Sequence, residues 1–208
     1  MGHAQAARHY VTEEEYYAFC DDHPDGKYEY YQGEIFAMAG AMPNHNLIAM
    51  NIGAAIHPQA KKKGCRTLTS DQRVLIEKTG LKTFPDITVV CGPLNIAPSR
   101  RDTITNPALL VEVLSQKTEA YDRDAKFEHY KKIPTLMEYL MVSSEECFVE
   151  LYARQADDSW AGTSYPENGQ TIVFPHSGFT LTLEEVYDDV GLPIVHRKPG
   201  RPAIDNTP

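Results

Sequence analysis

No apolar run in this chain approaches the roughly 20 residues that a helix needs to cross a bilayer, so no membrane-spanning helix is expected. The opening stretch, MGHAQAARHYVTEEEYY, lacks the basic and then apolar layout of a secretory signal, and a cytoplasmic location is the expectation. Cysteine is scarce. Cys20, Cys65, Cys91 and Cys147 lie far apart without a CxxC pair, which argues against a structural zinc site and makes free thiols the default. The eight histidines show no HExxH or similar zinc spacing. Positive charge is also short. A net charge of -9 weighs against avid, nonspecific binding to nucleic acid. Basic residues do cluster at 61–63, 100–101 and 131–132, where solvated surface is the ordinary reading.

What remains is a globular composition, 42% apolar and 24% charged, in a length of 208 residues that suits one domain. Thr12-Glu13-Glu14-Glu15 is a capping-box pattern, predicting a short helix to about Cys20. After the HPDGK turn, YEYYQGEIFAM reads as a hairpin turning at Gln32-Gly33. Asn44 is positioned to cap a helix reaching about Lys62, with Leu47, Ile48, Ile52, Ala55 and Ile56 at helical spacing and Pro58 late in it. Strands are predicted at CRTLTS, QRVLIEK and FPDITVV, then a long Pro-containing connection over 91–107, then the strand LLVEVLS. A helix over TEAYDRDAKFEHYKKI should end before Pro134. MEYLMV, CFVELYAR, WAGTSYP and QTIVFP follow as strands, LEEVYDDV as a short helix, and RKPGRPAIDNTP as a frayed tail. This order predicts one mixed α/β (α+β) domain over residues 10–193, with a flexible C-terminal tail over 194–208.

Glu112 stands out because it interrupts the apolar run LLVEVLS, and a buried carboxylate needs a partner or a metal. Asp86 occupies a comparable place in FPDITVV. If the two strands pair, the carboxylates lie side by side at one end of a sheet, where their repulsion favours a proton or a cation between them. A hard ion such as Mg²⁺, held by one or two carboxylates and water, meets that demand and suits phosphoryl chemistry. Asp122, Lys126 and Tyr130 share one face of the following helix, so Lys126 could reach back over the acids. The plainer readings are a strand glutamate paired with an arginine or an amide, and an i, i+4 lysine pair worth about 0.2–0.5 kcal/mol. The tyrosines Tyr28, Tyr30 and Tyr31 suit sheet packing first and base stacking second.

Pro85-Asp86 followed by Glu112-Val113-Leu114 resembles the PD-(D/E)XK nuclease signature. The ordered series is more specific. GEI at 33–35, His45 opening a helix, PDITVV, LLVEVLS, the Asp122 and Lys126 helix and EYLMV together resemble the bacterial Uma-two family of restriction-endonuclease type, from about Tyr10 to Pro193. The resemblance implies a restriction-endonuclease-like fold, a mixed central β-sheet flanked by helices. It implies a Mg²⁺-dependent endonuclease acting on DNA, with Mn²⁺ a possible substitute, and a homodimer as the expected assembly. Asp86 and Glu112 carry over as catalytic metal ligands, joined by the carbonyl of Val113. Leu114 stands where the superfamily has its lysine, on the same strand face as Glu112. Lys126 is then the matching cation, ahead of Lys117 and Lys131, and Glu34 and His45 are supporting candidates. Motion of the 91–107 connection could admit substrate, with Arg100-Arg101 touching phosphate. The rival expectation is an inactive nuclease-fold module that binds DNA or a protein partner.

Overall fold

Residues 10–116, 119–166 and 169–192 are described by the computed structural model. The chain enters through α1 (Glu13–Asp22), where Thr12 and Glu15 close the capping box in both directions. Strands β1 (Tyr28–Tyr31) and β2 (Glu34–Ala37) form the expected hairpin. Gln32 and Gly33 both adopt positive φ, 48° and 79°, the requirement of a tight two-residue hairpin turn. Helix α2 (Pro43–Lys62) starts one residue earlier than Asn44 capping would give. Met42 is its uncapped N-cap, and Pro43 supplies a first-turn residue with no N–H to satisfy.

Two mixed sheets follow. The six-stranded sheet runs β11-β10-β9-β8-β6-β3, built from β3 (Cys65–Thr69), β6 (Ile87–Cys91), β8 (Leu109–Leu114), β9 (Glu138–Ser143), β10 (Val149–Arg154) and β11 (Trp160–Tyr165). Its β8–β9 pair is parallel and the remaining pairs antiparallel. The five-stranded sheet runs β2-β1-β5-β4-β7, where β4 is Arg73–Ile76, β5 is Leu81–Thr83 and β7 is Thr103–Ile104. A small pair, β12 (Thr171–Val173) and β13 (Thr180–Thr182), leads into α5 (Leu183–Val186).

Alternation along β8 divides the core. Leu109, Val111 and Val113 pack on Ile48, Ile52 and Ile56, which recur every fourth residue along α2. Each such isoleucine contributes about 1.5–3 kcal/mol by leaving water. Leu110 and Leu114 point the other way, toward Val74, Ile76 and Leu81 of the second sheet and toward Phe127 and Tyr130. The helix that supplies those rings is not uniform: α3 (Glu119–Tyr121) passes into a π-helical stretch (Asp122–Lys126) and then α4 (Phe127–Tyr130).

Two expectations need correction. Cys65 and Cys91 are not free thiols but a disulfide, brought opposite one another by the β3–β6 register, whereas Cys20 and Cys147 are free and buried. The 91–107 connection is ordered rather than irregular. Ala97 and Thr103 close a hairpin-like turn, Asn106 holds the Asn95 amide, and β7 adds to β4 in parallel. Lys117 and the tail from 193 onward lie outside the described residues. Among those residues no helix is long and apolar enough to cross a membrane.

Candidate active site

The β6–β8 register sets Ile87 opposite Val111, so Asp86, just before β6, arrives beside Glu112 and Val113. The Val113 amide donates to Asp86 Oδ2 at 2.7 Å, locking that carboxylate onto the neighbouring strand. From the first turn of α2, His45 Nε2 stands 3.3 Å from the same oxygen. Burial works against charge on His45, but Asp86, Asp122 and the Val113 backbone outweigh it and raise its pKa. Its Nδ1 is buried and has no hydrogen-bond partner among the described residues.

Glu112 is only 5% exposed, and its Oε1 accepts from the Tyr130 hydroxyl at 2.6 Å. Lys126, 4% exposed, places Nζ at 2.9 Å from Glu112 Oε1, 3.3 Å from Glu29 Oε1 and 3.5 Å from Asp122 Oδ1. Glu29 is fixed in turn by the Thr83 hydroxyl, which donates to it from the adjacent strand β5. Burial pushes the Glu112 carboxyl up to about 8, with Asp122 and Asp86 adding to the rise and Lys126 opposing it. Burial alone would strip Lys126 of its proton, but Glu112, Glu29 and Asp122 hold its pKa well above the ordinary value. Both shifts run upward, as an excess of negative charge acts on an acid and a base alike.

Sequence reasoning thus named four residues that meet here: Asp86, Glu112, Lys126 and His45. It passed over Glu29, whose signal was only a carboxylate alternating with tyrosines. The hairpin glutamate within reach of Lys126 is Glu29, across from Phe36, while Glu34 lies opposite Tyr31. Leu114 is buried among apolar side chains beside Glu112, so the cation at this site comes from the helix instead. Lys131 is engaged elsewhere, on Glu128 and over the Phe127 ring. Arg100 binds Asp21 and Asp102 and does not project as a free phosphate contact.

The oxygen donors suit a hard divalent cation, which commonly takes one or two carboxylates and keeps several waters. Among the described residues no group of three His, Cys, Asp or Glu side chains forms a ready metal cage. Asp86 and Glu112 with water fit such an ion; a closed all-protein site they are not.

A family model described as "Putative restriction endonuclease", Uma2, matches residues 13–184. The chain belongs to the Uma2 family. Two uncharacterised proteins of Synechocystis sp. are relatives of this Uma2 chain. One, slr1290, is 32% identical over 189 residues, covering 90% of this chain and 97% of its own. The other, sll1609, is 31% identical over 148 residues, covering 71% and 84%. The crystal structure of a putative nuclease belonging to DUF820, from Anabaena variabilis, superposes with a TM-score of 0.64 at 16% identity, over 78% of this chain and 90% of that one. At that identity the likeness concerns the fold, and the Uma2 chain has the mixed α+β, restriction-endonuclease-like architecture.

Proposed function

We propose that the protein is a metal-dependent endonuclease that hydrolyses phosphodiester bonds in DNA. The observation that carries this reading is the Lys126 ammonium at 2.9 Å from buried Glu112, with Asp86 on the adjoining strand end. Asp86 and Glu112 would hold Mg²⁺, or Mn²⁺, together with the Val113 carbonyl. A bound divalent ion supplies Lewis-acid polarisation of the phosphoryl oxygen and an acidified water.

The chain's own groups then have distinct tasks. Tyr130 fixes the orientation of Glu112 by donating to one of its oxygens. The Val113 amide and His45 do the same for Asp86. Lys126 stays protonated and offers a donor where negative charge develops on the phosphate, the kind of fixed donor whose removal costs about 10²–10³ in rate. Glu29 and Asp122 keep that ammonium pointed inward. A homodimer is the proposed assembly, with one subunit for each strand.

The test is nicking of supercoiled plasmid with Mg²⁺ or Mn²⁺, comparing wild type with Asp86→Ala, Glu112→Ala and Lys126→Ala. Nicking by wild type alone is expected. Normal cutting by Lys126→Ala would remove the helix lysine from the mechanism while leaving the acids. Leu114 at the superfamily's lysine position favours a second reading, an inactive module that binds DNA or a protein partner. Saturable Mg²⁺ or Mn²⁺ binding, lost in Asp86→Ala, separates the two, because the inactive module predicts none.

A further inference from the structure

The rim of this site is aromatic and apolar, not basic. Glu29 sits directly opposite Phe36 in the β1–β2 register, so the two side chains share one face of the hairpin. Phe36 is nonetheless 46% exposed, on the edge strand β2. From the other side, Tyr121 ends α3 just before the π-helical stretch and is 42% exposed. Its hydroxyl lies close enough to Glu29, Lys126, Asp122 and Glu112 for their charges to bear on it, alongside the burial of part of the ring. Two exposed rings therefore flank Glu29, whose carboxylate is 3.3 Å from the Lys126 ammonium. The chain from Phe36 to His45 continues the rim with exposed Met38 and Met42.

The charge balance sharpens the point. Lys126 is buried and paired, Arg100 is committed to Asp21 and Asp102, and the whole chain carries -9. Phosphate attraction, the usual source of affinity for nucleic acid, is weak here. Contact with base faces is the other source, and it requires a base outside the helical stack.

We propose that Phe36 and Tyr121 grip an unstacked base next to the scissile phosphate, so that the substrate is single-stranded or locally unpaired DNA rather than intact duplex. This rests on the nuclease reading and adds the substrate class to it. Aromatic contacts tolerate any base, so little sequence preference is expected.

The experiment uses an oligonucleotide carrying 2-aminopurine, whose fluorescence is quenched by stacking, as a single strand and as the matching duplex, with Ca²⁺ present to neutralise the carboxylates. Wild type should quench the single strand and bind it more tightly than the duplex. Phe36→Ala and Tyr121→Ala should each bind about 5- to 150-fold more weakly and lose the quench, while Tyr121→Phe keeps both. Absence of quenching by wild type, equal affinity for duplex, or unchanged binding by the alanine variants overturns the proposal. Plasmid cleavage separates its failure from that of the nuclease reading. Relaxed and supercoiled plasmid cut alike, with ring variants as fast as wild type, would leave a nuclease without the aromatic grip. A strand that is quenched and bound but never cut would leave the grip without the nuclease.

Discussion

Two lysines are buried in this protein, and their surroundings differ in kind. Lys126 is ringed by carboxylates, with Glu112, Glu29 and Asp122 between 2.9 and 3.5 Å. Lys82, 1% exposed on β5, is ringed by tyrosines, its Nζ 4.6 Å from the Tyr30 ring centre, 5.6 Å from Tyr17 and 5.9 Å from Tyr16. Its carboxylate partner is the partly exposed Glu13 at 3.3 Å. The pKa values move in opposite directions: burial lowers that of Lys82 despite Glu13, whereas the acids around Lys126 overcome burial and raise it. A cation under α1 that rests on rings serves packing. A cation whose acids outnumber it, at a sheet end, has charge to spend on something that binds there.

The comparison is broken most forcefully at Lys126. Lys126→Met should lower plasmid cleavage by about 10²–10³ and, by leaving buried acids uncompensated, cost about 3–5 kcal/mol in a urea melt. A variant of wild-type stability would mean that the acids are already neutral in the fold. Next in size is the effect of the divalent ion. Saturating Mg²⁺, at a hundred times its dissociation constant, should stabilise wild type by about 2.7 kcal/mol in a thermal melt. Asp86→Ala should show no such gain, and an equal gain in that variant would move the ion elsewhere. Lys82→Met sharpens the contrast from the other side. It should cost about 0.5–2 kcal/mol, the worth of the cation–ring contacts, with cleavage unchanged; a fall in cleavage would join the two lysines into one functional unit.

The smallest effect lies beside Lys82, at Asp102. Burial tends to raise this carboxyl, but Arg73, Thr103 and Arg100 outweigh it and hold it below the ordinary 3.8. A depressed acid stabilises fully above its unfolded pKa and loses that contribution as pH falls through the folded one. Wild type should therefore exceed Asp102→Asn by up to about 1 kcal/mol, since the side chain is half exposed. That margin should shrink only at pH below about 4. A margin independent of pH would assign it to packing.

Local signals made much of this legible. The capping box at Thr12, the Gln32-Gly33 turn and the apolar stripe of α2 depend on residues a few positions apart, and each formed as its chemistry required. Glu112 was conspicuous because an acid in an apolar strand is costly. What escaped depends on register between distant segments. Thr103–Ile104 becomes a strand only because β4 offers it a parallel edge. Leu81–Thr83 and Thr180–Thr182 are too short to show a period. Cys65 and Cys91 meet because β3 and β6 align them, which spacing along the chain does not reveal. Glu29 reads as the solvent-facing phase of a tyrosine-rich strand until β5 and the helix close over it.

The π-helical stretch over Asp122–Lys126 has a consequence of its own. A π turn holds one more residue than an α turn, so it acts as a spacer that sets the bearing of everything after it. Deleting a single residue such as Ala125 would let the helix close normally and turn Lys126 relative to Tyr121 by about 100°, the angle of one residue in an α-helix. The ammonium would then swing off Glu112 while the helix itself gained regularity. On this view the widened turn is a frame-shift in three dimensions: a length change of one residue decides which way the cation faces.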